Sequence, residues 1–200
     1  MSKRNKKLYR GKNFPFGLEP DDCVRRLSGL LNRGTVLDIG CGYGRNAHFL
    51  AGGGQFNVTA LDIDQERIDV LNRWADDSLI PNIITQCIDV KHFPPTREYD
   101  VCVIAYMLHC LSLPEAIAVL TNTRRYIRPG GYVCIAAFMN EGYIFDESNQ
   151  SNYFPGNKSL EGFYDGWIVE YKEGLVQCFP VEPGVVQENM AAFVLAQRPI

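Results

Sequence analysis

Three aspartates and a run of alternate glycines are the residues of this 200-residue chain whose types and spacing could do chemistry. Asp38 stands two residues ahead of Gly40, Gly42 and Gly44 in "VLDIGCGYGRN", Asp62 closes "TALD", and Asp89 closes "TQCID". Each ends an apolar run. Alternate glycines let a backbone turn tightly and approach a ligand with no Cβ between them. A carboxylate beside such a bend attracts a cation and repels a phosphate. The spacing G-x-G-x-G also differs from the G-x-G-x-x-G of a dinucleotide fingerprint.

A nucleoside that carries both a sulfonium and an ammonium, S-adenosylmethionine, meets these conditions. Gly40, Cys41, Gly42 and Gly44 would then wrap it. Asp38 would face its ammonium, or hydrogen-bond the loop amides, or do both. Asp62, twenty-two residues after Gly40, is placed to accept hydrogen bonds from both ribose hydroxyls. Asp64 is the competing carboxylate and suits the cap of the helix that starts "QERIDVL". Asp89 faces the exocyclic amine of adenine or caps a following turn, with Ile63 and Ile88 as walls of the ring. Arg45, which opens the helix after the bend, and Arg10 are candidates for the methionyl carboxylate. Ala105 and Tyr106 border the site from the end of the fourth strand.

Methyl transfer from a sulfonium is an in-line displacement with a neutral leaving group, so positioning is the main requirement. No metal is required, and the three histidines, 48, 92 and 109, lie far apart in sequence. A base helps only where the nucleophile is protonated. His109 and Tyr106 are the candidates, each with a packing role as the alternative. His48 and His92 read as packing or surface residues.

These residues need a frame that gathers strand ends. Thr35–Ile39, Asn57–Asp62, Ile83–Cys87, Tyr99–Ala105 and Tyr132–Phe138 read as strands, rich in Val, Ile and Tyr and mostly without strict alternation, the pattern of a parallel sheet covered on both faces. Arg45–Gly52, Asp64–Ser78 and Pro114–Ile127 carry the helical period, and "RPGG" (128–131) reads as a stop before the next strand. Met139–Ser159 reads as a long polar and aromatic loop, followed by a short helix near Ser159–Tyr164. Segments 166–174 and 190–198 read as two closing strands. The whole is a doubly wound α/β arrangement, with ligands beyond the carboxyl ends of the strands.

The bulk properties fit one domain. Hydrophobic residues make up 46% and charged residues 22%, ordinary for a globular protein. No apolar stretch reaches the ~20 residues of a membrane span, and the first residues lack the apolar core of a secretory signal. Seven scattered cysteines without a C-x-x-C read as buried hydrophobes in a reducing cytoplasm. Six of the 20 basic side chains fall in the first twelve residues with no acid, leaving 14 against 23 acids elsewhere, a net −9. That basic arm is either solvated or a phosphate contact.

The segments "VLDIGCGYGRN", "ALDID", "CIDV", "YDVCVIAYMLHCL" and "IRPGGYVCIAAF" together resemble the class I S-adenosylmethionine-dependent methyltransferases. The resemblance covers about Gly34 to Phe138. It implies a Rossmann-like, mostly parallel sheet of seven strands with an antiparallel last strand, and S-adenosyl-L-methionine as cofactor. Within the class, "GCGYGRN", "PGGYVCIAAFMNEG" and "FYDGWIVEYKEG…AAFVLAQR" look most like the tellurite-resistance (TehB-type) enzymes. Those relatives carry a histidine between the last two strands, whereas "EGLVQCFPVEPG" has none. The expected organisation is a basic arm and lid helix over residues 1–33 and a methyltransferase domain over 34–200. "LYRGKNFPFGLEP" and "MNEGYIFDESNQSNYFPG" are expected on the substrate side.

The function expected is a cytoplasmic transferase acting on a small molecule or small oxyanion. An RNA or protein methyltransferase using the basic arm is one alternative. The fourth strand's "AYML" is unlike the "NPPY" of amino-group modifiers of nucleic acid, and the acidic body repels phosphate backbones. A protein that binds the cofactor without turning it over is the other alternative.

Overall fold

The computed structural model describes residues 17–93, 97–142, 152–156, 159–182 and 185–200. Seven strands form one sheet: β1 (Gly34–Ile39), β2 (Phe56–Asp62), β3 (Ile83–Cys87), β4 (Tyr99–Ala105), β5 (Ile127–Gly142), β6 (Ile168–Glu182) and β7 (Val185–Gln197). Four α-helices accompany them: α1 (Asp22–Ser28), α2 (Arg45–Ala51), α3 (Gln65–Asp77) and α4 (Leu113–Tyr126). The strand order is β3-β2-β1-β4-β5-β7-β6. β1 to β5 run parallel, and β7 lies antiparallel between β5 and β6. The seven-stranded, Rossmann-like sheet with a reversed last strand is therefore present.

Side-chain alternation divides the core into two layers. Leu37, Ile39, Cys102, Ile104, Val133 and Ile135 pack under α4 through Ala116, Val119 and Leu120. Val36, Val101, Val103, Cys134 and Ala136 face the other way, onto Val24 and Leu27 of α1 and Ala47 and Leu50 of α2. Burial on both faces explains why these strands read as continuous apolar runs. Each large aliphatic side chain so buried contributes roughly 1.5–3 kcal/mol.

The helix starts are set locally. Asp64 accepts the backbone N–H groups of Glu66 and Arg67 at the head of α3, the cap expected of it. Ser112 and Glu115 form a capping box at the head of α4.

Two expectations about the second half need correction. "RPGG" does not end the chain's path before a strand; it lies inside β5 as a bulge, with the register shifted between Tyr99 and Val101. Gly130 takes φ +78° there, and its N–H donates to the Arg198 carbonyl at 2.9 Å. A Cβ on Gly131 would lie 2.7 Å from the Asp100 carbonyl oxygen. Glycine lets the bulge pass close to β4, so pairing resumes beyond it. The loop assigned to Met139–Ser159 also starts late, because β5 continues through Gly142 and Met139 is buried. Residues 143–151, 157 and 158 of that segment lie outside the described residues, as do residues 1–16 of the N-terminal arm. The short helix near 159–164 is a 3₁₀ turn, Glu161–Tyr164. No helix among the described residues is long and apolar enough to cross a membrane.

Candidate functional site

The winding of the sheet reverses between β1 and β4, so their carboxyl ends open side by side. The bend after β1 fits that crevice only with glycine. Gly40, Gly42 and Gly44 have φ of +67°, +56° and +82°. A Cβ on Gly40 would stand 2.8 Å from Met107 Cβ, and one on Gly44 would stand 2.2 Å from Leu71 Cδ1. At Gly42 nothing lies within 4 Å. Two glycines thus serve packing, and the middle one faces open space. The bend is tied down by the Cys41 N–H to the Leu61 carbonyl at 2.8 Å.

The bend borders a cavity of about 190 Å³. Of the residues singled out from sequence, Asp38, Gly40, Cys41, Gly42, Gly44, Arg45, Ala105 and Tyr106 line it. Asp62, Ile63, Ile88, Asp89 and His109 do not.

Asp38 is 1% exposed, and its Oδ2 has no hydrogen-bond partner. The carboxylate accepts the Ala47 backbone N–H. Burial, followed by the nearby Asp21 and Asp62 carboxylates, pushes its pKa up to about 7. A buried carboxylate oxygen with no donor is costly to keep. A cation in the cavity would offset that cost, so this group fits the ammonium of S-adenosylmethionine. Cys41, in the bend itself, has its thiol pushed up by burial, so it stays protonated.

Asp62 is also buried, but both its oxygens are engaged. Oδ2 accepts Gly42 N–H at 2.7 Å and Oδ1 accepts Asp64 N–H at 3.0 Å. It binds the end of β2 to the bend. A carboxylate has about four acceptor positions, so capacity remains for a ligand hydroxyl. Asp89 caps the 3₁₀ turn Val90–His92 through Lys91 N–H at 3.0 Å and pairs with Lys91 Nζ at 3.3 Å. Of its two sequence readings, the cap is the one seen. Ile63 is 68% exposed, while Ile88 packs partly buried against the α4-side core.

Tyr106 turns the chain sharply after β4. Its φ is +51°, unusual for a bulky side chain, and its N–H donates to the Ala136 carbonyl at 2.7 Å. The buried ring lies 4.6 Å from Phe138, and the Arg45 guanidinium lies 5.8 Å from its centroid. Burial raises the phenol well above its ordinary range. His109 sits in the next turn, with its ring 5.2 Å from Phe138 and 5.9 Å from Phe154. Its Nδ1 is buried without a partner, and burial lowers its pKa to about 4. His48 packs as expected, stacked 3.7 Å from Trp74.

Residues 36–131 match the family described as Methyltransferase domain. That stretch, just under half of the chain, is a methyltransferase domain, and the match supports the class I S-adenosylmethionine-dependent reading. Among curated members, the probable S-adenosyl-L-methionine-dependent methyltransferase TehB of Haemophilus influenzae is 29% identical over 140 residues, 70% of this chain and 48% of its own. The ubiquinone biosynthesis O-methyltransferase of Serratia proteamaculans is 30% identical over 112 residues, 55% of this chain and 44% of its own. The chain thus spans about half the length of the curated relatives it matches. The crystal structure of Haemophilus TehB superposes with a TM-score of 0.77 at 23% identity, covering 88% of this chain and 61% of that one. The N-methyltransferase NodS of Bradyrhizobium japonicum, solved with S-adenosyl-L-homocysteine, covers 98% of both chains with a TM-score of 0.65 at 14% identity. This methyltransferase fold places the cavity at the reversal of its sheet.

Besides Gly17, which lies in the N-terminal segment expected on the substrate side, four residues line the cavity that no motif singled out: Asp21, Tyr43, Asn46 and Arg67. Asn46 and Tyr43 flank residues already singled out, so proximity to the motif was the available signal. Arg67, in the first turn of α3, pairs with Asp64 at 3.2 Å and approaches Asp62 at 3.9 Å. Asp21 comes from the far side of the chain, and no spacing pattern announced it.

Proposed function

We propose that the protein binds S-adenosylmethionine in the crevice between β1 and β4 and transfers its methyl group to a small molecule or small oxyanion. The observation that carries this reading is the buried, unpartnered Oδ2 of Asp38 in the wall of the cavity. Asp38 takes the ammonium and Arg45 the methionyl carboxylate. Asp62 adds ribose hydroxyls to the two N–H groups it already accepts. Ile63 and Ile88 flank the adenine, with Asp89 at its amine edge.

When bound, the cofactor supplies an electrophilic methyl group on a sulfonium. The chain's own part is to orient the two reactants and exclude water. Neither candidate base suits proton removal at neutral pH. Tyr106 keeps its proton, and His109, with a pKa near 4, is a weak base outside the cavity lining. Tyr106 is therefore assigned to the wall of the cavity, and His109 to packing against Phe138 behind it. An acceptor that arrives with a reactive lone pair, such as an oxyanion or a thiolate, needs no base.

Incubation with methyl-labelled S-adenosylmethionine and separate panels of inorganic oxyanions, thiols, amines and RNA tests the reading. Label is expected in a small acceptor. Label that reaches only RNA, or that never leaves the cofactor, contradicts it.

A further inference from the structure

Asp21 immediately precedes α1, and its side chain makes no cap hydrogen bond to that helix. The carboxylate is directed instead to the first two residues of α2. It accepts from Arg45 Nη2 and, at 2.8 Å, from Asn46 Nδ2, while its own backbone N–H donates to Asn46 Oδ1 at 3.0 Å. Asp21 is 6% exposed. Arg45 is further held by the Glu19 carbonyl at 3.4 Å and the face of Tyr106. Asp21, Arg45, Asn46 and Tyr106 all border the cavity that Asp38 borders.

The arrangement matters because Asp38 is a second buried carboxylate within the electrostatic reach of Arg45. If Arg45 were released, its best remaining counter-ion would be Asp38. The two would then neutralise each other, leaving nothing charged for a zwitterion to meet. With Asp21 present, the cavity keeps an anionic position at Asp38 and a cationic one at Arg45. An α-amino acid group carries the complementary pair.

We propose that Asp21 is a positioning residue that holds Arg45 away from Asp38, so that the amino-acid end of the cofactor finds separate counter-charges. This rests on the cofactor reading above and adds a residue from outside the glycine motif. Asp21 acts through Arg45 and does not itself contact the ligand.

The test is calorimetric binding of two ligands, S-adenosylhomocysteine and 5′-methylthioadenosine, which lacks the amino-acid group. Wild type, Asp21→Asn, Arg45→Gln, Arg45→Lys and the double variant Asp21→Asn/Arg45→Gln are compared, with thermal unfolding of each sample. Asp21→Asn is expected to weaken S-adenosylhomocysteine about tenfold or more and to leave methylthioadenosine within about twofold. Arg45→Lys, which keeps the charge but loses the planar fork, is expected to show the same selective loss. The double variant is expected to bind no more weakly than Arg45→Gln alone, as for residues acting in one unit.

Equal weakening of both ligands would mean that Asp21 only steadies α1, and the proposal falls. It also falls if Asp21→Asn changes neither affinity. A double variant that loses the product of the two single effects would show direct contact by Asp21 and likewise overturns it. Failure of wild type to bind either ligand removes the cofactor reading itself, and the positioning role with it.

Discussion

The backbone N–H of Gly42 donates to Asp62 Oδ2 at 2.7 Å, joining the bend after β1 to the end of β2. The carboxylate assigned to the ribose is therefore also a structural tie. Asp62→Ala removes the acceptor for both Gly42 and Asp64 N–H, and each loss costs roughly 1–3 kcal/mol. Thermal unfolding without ligand should fall by about 2–4 °C for each kcal/mol lost. Affinity for S-adenosylhomocysteine should fall at least about tenfold. An unchanged melting temperature would contradict the tie.

The glycines of the bend should separate by function. Gly44→Ala puts a methyl 2.2 Å from Leu71 Cδ1, so its main effect is on stability. Gly42→Ala points into open space, where only the left-handed backbone, roughly 1–2 kcal/mol, opposes it. That methyl occupies the approach of the ligand. Gly42→Ala is expected to lose more cofactor affinity than Gly44→Ala while melting higher. Calorimetry and thermal unfolding of the two variants side by side would reveal the reverse order if the bend faces another way.

Asp38 gives the protein a pH signature opposite to that of its buried histidines. Its folded pKa is raised from 3.8 to about 7, so its contribution to stability is complete below the unfolded value and is lost as pH rises through 7. His48 and His109 are lowered from 6.5 to about 4. Their contribution is present above 6.5 and is lost as pH falls through 4. In the window between about pH 4 and 6.5 the two effects oppose. Asp38→Asn removes the opposing one, so the stability of the ligand-free variant should climb with pH by about one proton more steeply than wild type, roughly 1.4 kcal/mol per pH unit. Denaturant titrations at pH 5 and pH 6 read this directly, and parallel slopes would contradict it.

The same group should link cofactor binding to a proton. Bringing an ammonium to Asp38 favours its charged form, so S-adenosylhomocysteine should bind more weakly below pH 7 by up to about tenfold per unit. Asp38→Asn should abolish that dependence. A wild-type affinity flat from pH 5.5 to 8 would contradict the link.

How far the sequence carried this account depended on the range of the interaction. Ile83–Cys87 and Tyr99–Ala105 are strands with the residues expected of them. Burial on both faces leaves the second a nearly unbroken apolar run, while the first, an edge strand with Ile84 exposed, is marked by its β-branched residues. The Asp64 cap was legible because the cap and the N–H groups it accepts lie within three residues of each other. The end of the chain was less so. β6 extends through Glu182 and β7 begins at Val185, whereas the sequence reads as closing strands that end at 174 and resume only at 190. β6 is an edge strand, the place where a sheet tolerates proline, and its register with β7 shifts between Pro180 and Glu182. Asp21 and Arg45 meet across 24 residues and two elements. A pair of that kind has no period, and only the packed fold reveals it.

In the proposed site, Asp38 holds the cationic end of an adenosyl cofactor. A crystal structure with S-adenosylhomocysteine tests it most directly. The ammonium is expected within about 2.7–3.2 Å of Asp38 Oδ2, with the ligand passing against Gly42. Ligand density away from the bend after β1, or a bound ligand that leaves Asp38 Oδ2 without a partner, would contradict it.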